Sequence, residues 1–319
     1  MVLIGYGNVA RAFSRLLLRK QSAYPFRIVG VHTRRHGTAY ATKGLGIEPE
    51  FGPAAYSMDE FLDRARPDVA IEVTTLEPGT GEPAISHIRA AFARHIHVIT
   101  ANKGPIAHAF RLLSEEARRA QAEFRFESTV MDGAPVFNMV RNNLPGATIQ
   151  GFTGALNSTS KIVVAAMERG LTMADGIREA QGLGIAEADA SYDIDGWDSA
   201  AKAAALANVL MDAGTTPQQV DRRGLGELTT NEAIQLARNG QTTMLVSRGE
   251  RVDGAVRLQV RPEILSATDI LASARGTSNL LLFHTDLMGT VGTILINPGV
   301  EQTAYGLFSD LVDIARSVV

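Results

Sequence analysis

The sequence predicts an α/β protein of two domains, in which a doubly wound parallel sheet is followed by an α+β domain with an antiparallel sheet. As far as residue 127, short apolar segments alternate with helical ones, which is the pattern of a parallel sheet. After Pro135 this alternation ends and hairpin-like segments follow. A glycine-rich turn, G-Y-G-N-V-A, also joins the first strand directly to the first helix.

The first domain is predicted to alternate strand and helix in a regular order. Its helix at 59–65 ends before Pro67, because a proline disfavours helical geometry in the residue before it. The predicted strands are 2–4, 26–32, 69–73, 97–100 and 125–127, and the predicted helices are 11–20, 59–65, 84–94 and 107–122.

The second domain is predicted to combine helices with an antiparallel sheet. Its strands are 148–156, strand-like alternation over 242–260 around an R-G-E-R turn, and a hairpin of 280–285 and 292–296; its helices are 162–169, 173–181 and 200–213. A terminal helix at 303–317 is expected to return to the first domain, and 214–228 is expected to be a flexible loop. We therefore predict domains at 1–134, completed by 297–319, and at 135–296.

Composition excludes several functional classes. The chain has 319 residues, 45% hydrophobic and 20% charged, with a formal net charge of -3, so there is no basic footprint for nucleic acid. No apolar run reaches membrane-spanning length and no secretory signal is present. The absence of cysteine excludes disulfides, thiolate catalysis and cysteine metal sites. We expect a cytoplasmic protein whose partner is a small molecule, with neither nucleic acid nor membrane.

The glycine-rich turn predicts a Rossmann-type dinucleotide site. Gly5 allows the tight turn, Gly7 lets a pyrophosphate approach the backbone, and Ala10 permits close helix–strand packing. Asn8 and Val9 complete the turn at the helix start. The motif is weak by itself, but here it follows a strand and opens a helix.

The end of the second strand indicates which cofactor binds there. NAD enzymes usually place an acid at this position to hold the ribose 2′-hydroxyl, whereas this chain has Thr33-Arg34-Arg35. A guanidinium can bind a 2′-phosphate through two hydrogen bonds. We therefore predict a preference for NADP, with NAD possible; the alternative is a solvated basic loop.

A cluster of charges predicts the substrate site. Residues 187–202 read E-A-D-A-S-Y-D-I-D-G-W-D-S-A-A-K, with five carboxylates within 12 residues. Asp198 and Lys202 are four residues apart on a helix, so they share its face, and that face is otherwise apolar. An isolated Asp–Lys ion pair of this kind is usually exposed to solvent. Here the ammonium lies on an apolar face, where it requires a partner, and a cluster of carboxylates lies nearby in the sequence. We therefore predict a zwitterion-binding site with a proton-transfer lysine.

A second lysine, Lys103, lies in T-A-N-K-G-P, directly after a predicted parallel strand. Ligands bind at the carboxyl ends of such strands, so this lysine could contact a substrate oxygen. A surface loop lysine is an equally good interpretation of the sequence.

Taken in order, these segments resemble one enzyme family over nearly the whole chain. They are G-Y-G-N-V-A-R-A-F, G-E-P-A-I-S-H-I, H-V-I-T-A-N-K-G-P-I-A, E-S-T-V-M-D-G-A-P-V-F, G-A-L-N-S-T-S, G-L-G-I-A-E-A-D-A-S-Y-D-I-D-G-W-D-S-A-A-K, T-D-L-M-G-T and T-A-Y-G-L-F-S-D-L. The set is similar to homoserine dehydrogenase. Its most specific parts are T-A-N-K and the E-x5-D-x4-D-x3-K spacing.

The resemblance implies a reversible NAD(P)-linked interconversion of L-homoserine and L-aspartate 4-semialdehyde, in threonine and methionine biosynthesis. It implies that Lys202 accepts the hydroxyl proton through water while Lys103 stabilises the developing alkoxide. The substrate residues that it implies are Glu187, Asp193, Asp198, Asn157 and Thr159. The cofactor residues that we expect are Gly5, Gly7, Asn8, Val9, Thr33, Arg34, Arg35, Thr74, Lys103, Gly299 and Glu301.

The resemblance also implies a monovalent cation, Na⁺ or K⁺, near the domain junction. The matching positions are Glu127, Val130, Asp132 and Ala134. The alternative for Glu127 is a surface carboxylate at a strand end.

The chain departs from the family pattern in three places. A glycine-rich turn is replaced by Met131-Asp132-Gly133, and the late G-P-G-A-G turn near the nicotinamide reads 297–301, N-P-G-V-E, which adds the carboxylate of Glu301. The third departure, Asn157-Ser158-Thr159 for N-G-T, is mild. The chain ends without room for a regulatory ACT domain, so threonine inhibition through such a domain is not expected.

Three functions therefore stay open from the sequence. The first is a homoserine dehydrogenase, a homodimer formed through the sheet of the second domain. The second is a divergent relative that oxidises another small amino alcohol or hydroxy acid, as the changed turn at 297–301 suggests. The third is a non-catalytic NADP-binding regulator, against which the two retained lysines argue.

Overall fold

The computed structural model describes residues 1–318, so residue 319, the end of the first predicted domain, lies outside the described residues. The chain forms two compact units. The first unit comprises Met1–Asn138 and the chain from Gly299 onward, and the second comprises Met139–Pro298. Each unit is built around one six-stranded sheet.

The sheet of the first unit has the strand order β3-β2-β1-β4-β5-β6. Its strands are β1 Val2–Ile4, β2 Gly30–Thr33, β3 Gly37–Tyr40, β4 Val69–Glu72, β5 His97–Thr100 and β6 Phe124–Arg125. All neighbours are parallel except β2 and β3, which form an antiparallel hairpin. The predicted doubly wound, Rossmann-type sheet is confirmed. Strand β3 was not predicted, because G-T-A-Y has no apolar run.

The first five helices follow these strands. They are α1 Asn8–Lys20, α2 Met58–Ala65, α3 Ala84–Phe92, α4 Lys103–Arg119 and α5 Phe137–Asn143. Helix α2 begins at Ser57, whose side chain accepts a hydrogen bond from the Glu60 N–H, and it ends in a left-handed cap at Arg66. Local capping therefore sets its boundaries close to those predicted.

The sheet of the second unit has the order β12-β11-β7-β9-β10-β8 and is mostly antiparallel, as predicted. Its strands are β7 Ile149–Ala155, β8 Asp221–Arg222, β9 Gln241–Val252, β10 Ala255–Ser266, β11 Asn279–Thr285 and β12 Thr290–Leu295. Only the short β8 runs parallel to its neighbour, β10. It lies in the segment 214–228, where the sequence predicted only a loop.

The position of the β9–β10 turn was predicted wrongly. Residues 248–251, R-G-E-R, lie inside β9, and the chain reverses at Asp253-Gly254. Both turn residues have positive φ, 51° and 82°. A two-residue hairpin turn of this kind favours an Asp-Gly pair. Because the chain reverses there and not at R-G-E-R, both strands extend further than predicted.

The helices of the second unit are α6 Ser158–Glu168, α7 Met173–Gly182, α8 Ser191–Ile194, α9 Trp197–Leu210 and α10 Thr230–Arg238. Thr172 and Thr229 begin α7 and α10 with reciprocal capping boxes. The short α8 and the helix α10 were not predicted. Helix α9 is buried along most of its length, which agrees with its run of alanine and aliphatic residues.

The last helix, α11 Val300–Val318, belongs to the first unit. Leu307 and Leu311 pack into the same core as Phe13 of α1 and Leu3 of β1. No helix in the described part of the chain is both long enough and apolar enough to cross a membrane.

We predict that Gly5→Ala destabilises the protein, whereas Gly7→Ala does not. Gly5 has φ of 99°, and a Cβ there would lie 2.7 Å from the Val73 carbonyl oxygen. Gly7 has φ of -89°, and a Cβ there would meet no atom within 4 Å. Strain of the first kind costs about 1–3 kcal/mol.

The measurement is the free energy of unfolding of the two variants and the wild type in denaturant, without cofactor. Equal losses in both variants would contradict this account of the turn.

Candidate active site

The carboxyl ends of the central strands of the first unit lie side by side. Ile4 pairs with His32 and with Glu72, and Glu72 pairs with Thr100. The turn that contains Gly5 and Gly7 lies at this edge of the sheet and leads into helix α1. The helix has no side-chain cap and no acid in its first turn. Its N–H groups and the positive end of its dipole therefore suit a phosphate.

The predicted 2′-phosphate site lies in the tight turn between β2 and β3. The Thr33 hydroxyl accepts the His36 N–H at 2.8 Å and donates to the Gly37 carbonyl at 3.2 Å, which fixes the turn. Arg34 and Arg35 are exposed in it. Within the described chain neither guanidinium has a hydrogen bond or an ion pair, so both can bind a ligand.

Sequence reasoning missed Glu72, a carboxylate with no exposed surface at the end of β4. It accepts the Thr74 N–H at 3.0 Å, the Thr74 hydroxyl, and the Thr100 hydroxyl at 3.1 Å. His87 Nδ1 lies 4.0 Å away. The signal in the sequence was an acid within the apolar run V-A-I-E-V. Glu72 ties the ends of β4 and β5 together, and Thr74 was predicted to contact the cofactor.

The same network sets the start of helix α4. The Thr100 hydroxyl accepts the Asn102 N–H at 3.0 Å, and the Asn102 side chain accepts the Gly104 N–H at 3.0 Å as the helix cap. Lys103 is the first residue of the helix and is half-buried. A rigid cap therefore fixes the backbone that carries the predicted catalytic lysine.

The late turn places Glu301 in the first turn of α11, with its carboxylate 3.8 Å from the Arg15 guanidinium of α1. Both side chains are largely exposed, so this pair contributes little to stability. The Gly299 N–H donates to the Gln302 side chain at 2.9 Å, which caps the helix.

The residues of the predicted cation site lie against α11 in the first unit. The buried Glu127 carboxylate accepts the N–H of Val136, of Phe137 at 2.9 Å and of Asn138 at 2.7 Å, at the start of α5. A carboxylate has about four acceptor sites, so these donors leave little capacity for a cation. The Glu127 side chain therefore fits a helix cap better than a cation ligand.

The other three positions of the predicted cation site provide few side-chain ligands for a cation. The Asp132 carboxylate accepts the Thr303 hydroxyl at 3.0 Å, and Val130 and Ala134 are buried. The described residues contain no group of three or more His, Cys, Asp or Glu side chains that could hold a metal. A site built from backbone carbonyls stays a prediction.

The second unit contains a buried ion pair. Lys202 Nζ lies 2.9 Å from Asp198 Oδ2, with side chains only 15% and 8% exposed, and it donates to the Leu156 carbonyl at 2.7 Å. The solvated pair considered from the sequence does not agree with this burial. A buried pair requires such additional partners, because desolvation otherwise exceeds the Coulombic gain.

Asn157 joins this pair to a second carboxylate. Its amide nitrogen donates to Asp193 at 2.6 Å and to Asp198 at 2.9 Å, while its oxygen accepts the Ser160 N–H as the cap of α6. The Thr159 hydroxyl donates to the other oxygen of Asp193 at 2.8 Å. Asn157 therefore holds two like charges side by side at the end of β7.

The electrostatics of this cluster favour binding a cation. Burial, and secondly the neighbouring charge of Asp198, raise the pKa of Asp193. Two carboxylates and one ammonium sum to one negative charge when all are ionised. A substrate ammonium would neutralise that charge and thereby ease the burial of Asp193.

One acid of the predicted substrate set, Glu187, and its neighbour Asp189 lie outside the cluster. Glu187 is exposed, and its carboxylate makes no hydrogen bond or ion pair with a described residue. Asp189 accepts the Ser191 N–H at 2.9 Å at the start of α8. The structure brings together Asn157, Thr159, Asp193, Asp198 and Lys202, but not Glu187.

A Rossmann-type unit with an open phosphate turn, together with a second unit that carries a buried acid–lysine cluster, defines an NAD(P)-dependent oxidoreductase of small polar substrates. Family models agree with this class. Residues 5–127 match the NAD-binding domain of homoserine dehydrogenase, and residues 135–312 match homoserine dehydrogenase itself. The chain belongs to the homoserine dehydrogenase family.

Three of the similar proteins match over almost their full length. The chain is 33% identical to an NAD(+)-dependent homoserine dehydrogenase of Pseudomonas canavaninivorans, over 99% of this chain and 96% of the relative. It is 32% identical to a homoserine dehydrogenase of Methanocaldococcus jannaschii, over 99% and 98%. The structure of a hyperthermophilic archaeal homoserine dehydrogenase in complex with NADPH superposes with a TM-score of 0.84 at 26% identity, covering 99% and 97%.

We predict that Asp193→Asn stabilises the protein and lowers its activity. Asparagine keeps the shape of the side chain and its bond to Asn157 but removes a buried charge. Because the folded pKa of Asp193 is raised, its ionisation costs stability. That cost grows as pH rises from the unfolded carboxyl pKa, about 3.9, through the folded pKa, and is constant above it.

Thermal unfolding of both proteins across this pH range tests the prediction. The advantage of Asp193→Asn should appear as pH rises and then level off. A variant that is less stable than the wild type at neutral pH would contradict it.

Proposed function

We propose that this chain interconverts L-homoserine and L-aspartate 4-semialdehyde with NAD(P). The observation that supports this most is the buried cluster of Asp193, Asn157, Asp198 and Lys202. It combines a net negative charge, for the substrate ammonium, with an ammonium that can transfer a proton. Both are needed for a zwitterion that also carries a reacting hydroxyl or aldehyde.

Lys202 is proposed to transfer the proton. Its contacts with Asp198 and the Leu156 carbonyl favour the ammonium form, which is the form that donates a proton when the aldehyde is reduced. In the reverse direction it would take the hydroxyl proton through water. Lys103 of the first unit is proposed to stabilise charge on the substrate oxygen.

The bound cofactor supplies hydride transfer at its nicotinamide ring. The chain's own residues position it: the Gly5–Gly7 turn and the start of α1 for the pyrophosphate, and Thr74, fixed by Glu72, at the neighbouring strand end. We propose that Arg34 and Arg35 favour NADP. The relatives named above do not decide this, since one is NAD(+)-dependent and another was solved with NADPH.

Further proposals complete this function. We propose a cytoplasmic enzyme of threonine and methionine biosynthesis that forms a homodimer through the second sheet. Na⁺ or K⁺ would bind backbone carbonyls around 127–134. The carboxylate of Glu301 supports one alternative, a related dehydrogenase that prefers another small amino alcohol or hydroxy acid.

The decisive assay mixes the protein with NADPH and aspartate 4-semialdehyde and follows the nicotinamide absorbance, then repeats it with NADH and in reverse with L-homoserine. Turnover of an analogue without turnover of homoserine would favour the related dehydrogenase. Cofactor binding without any turnover would favour a non-catalytic regulator.

We predict that Lys202→Met lowers kcat by about 10²–10⁴-fold, the usual contribution of a general acid or base. NADPH affinity should be retained, because the variant lies in the second unit. The matched control is Lys20→Met, at the exposed end of α1, which should leave kcat unchanged. Wild-type turnover in Lys202→Met would reject the proposed proton transfer.

We predict that Arg34→Ala and Arg35→Ala lower kcat/KM with NADPH and leave kcat/KM with NADH nearly unchanged. One charge-assisted hydrogen bond contributes about 1.5–3 kcal/mol, so each loss should be roughly 10–100-fold. Arg27→Ala, an exposed arginine that precedes β2 at the amino edge of the sheet, is the control. Equal losses with both cofactors would contradict a 2′-phosphate contact, and higher kcat/KM with NADH in the wild type would reject the NADP preference.

A further inference from the structure

The second unit buries a second lysine that the proposed chemistry does not use. Lys161 lies in the first turns of α6, in the sequence S-T-S-K-I-V-V, and is only 7% exposed. Burying an ammonium is costly unless its protons find acceptors. The contacts of this side chain therefore indicate what its charge does for the fold.

The Lys161 ammonium donates to three oxygen atoms from two separate parts of the chain. These are the Ala155 carbonyl at 3.4 Å, the Ser278 carbonyl, and the Asn279 side-chain oxygen at 2.9 Å. An ammonium has three protons, so these acceptors can take one each. Lys161 thus joins the end of β7 to the start of β11.

The acceptor on β7 lies next to the acceptor used by Lys202. Lys161 binds the carbonyl of Ala155, and Lys202 binds the carbonyl of the following residue, Leu156. The next residue, Asn157, holds Asp193 and Asp198. Three consecutive residues therefore connect the Lys161 ammonium to the cluster.

A further bond joins the same two segments. The Ser158 hydroxyl donates to the Thr277 carbonyl at 3.3 Å, one residue before the Ser278 carbonyl that Lys161 binds. Ser278 in turn accepts the Asn297 N–H at 3.1 Å, at the start of the late turn. The segment 277–279 is thus held by α6 on one side and holds Asn297 on the other.

We propose that Lys161 is a positioning residue for the reaction, a charged tether that fixes the 155–157 junction and thereby the place of Lys202. The proposal rests on the proposed function, in which Lys202 transfers the proton. All three contacts named here are hydrogen-bond acceptors, which matches the three protons of an ammonium. Without the tether, the β7–β11 pairing and the Asn157 cap of α6 would still hold this junction, but the Leu156 carbonyl and the bridging amide of Asn157 would be positioned less tightly.

The test compares Lys161→Met with the wild type and with the exposed-lysine control, Lys20→Met. We expect kcat to fall about 10–100-fold in Lys161→Met, with NADPH affinity unchanged, and we expect no effect in the control. Wild-type kcat in folded Lys161→Met would overturn the proposal. If this variant does not fold, Lys161→Gln is judged by the same two outcomes.

Chemical rescue separates positioning from a general loss of structure. Lys161→Ala lacks the atoms of n-propylammonium, so adding that ion during refolding should restore part of kcat and raise the melting temperature. Neutral n-propanol, of nearly the same shape, should restore neither. Equal rescue by both compounds would overturn a role for the charge.

A readout without turnover distinguishes failure of the tether from failure of the proposed function. Reductive methylation followed by peptide mass spectrometry gives the labelling rate of Lys202. We expect this rate to rise several-fold in Lys161→Met, with Lys20 labelled equally in Lys161→Met and in the wild type. An unchanged rate rejects the tether, whereas a wild type that binds NADPH but turns over neither substrate rejects only the proposed function.

Discussion

The burial of charge around Asp198 and Lys202 is the constraint on which the second unit depends. Helix α9 is otherwise almost entirely alanine and aliphatic, so water contributes little to the stability of this pair. A buried pair is tolerated only where its remaining protons and lone pairs have partners. Leu156 and Asn157 provide them, and both lie where β7 ends. The geometry of the cluster and the path of the chain between β7 and α6 therefore cannot vary independently.

The first unit also buries a carboxylate at the ends of its strands. Glu72 is a fully buried acid, and its lone pairs are filled by Thr74 and Thr100. Through Thr100 and Asn102 the same network determines where α4 begins, and so where Lys103 lies. In each unit a buried carboxylate requires hydrogen-bond partners, and those partners hold the end of a strand in place. That rigidity is what positioning for catalysis requires.

Local rules explain why much of the fold could be predicted. The glycine turn at 5–7 and the spacing of Asp198 and Lys202 depend only on backbone geometry, and both predictions of structure agree with the observed contacts. The β9–β10 turn was predicted wrongly. The glycine of R-G-E-R is typical of a turn, but the Asp253-Gly254 pair that follows is a stronger turn signal, and the chain reverses there. Glu187 was assigned to the cluster through family resemblance, yet its side chain is exposed. Contacts between distant segments, such as Glu72 with Thr100, leave no periodic signal.

Lys161 and Lys202 show where sequence reasoning stops. Each is a lysine in an apolar helix, so the signal that singled out Lys202 was also present at Lys161. The difference lies in their acceptors, and those of Lys161 at Ser278 and Asn279 are 117 and 118 residues away. Neutral oxygens hold an ammonium without exchanging its proton, which suits a tether. The carboxylate of Asp198 instead stabilises the ammonium form of Lys202, which is the form that the proposed reduction of the aldehyde requires.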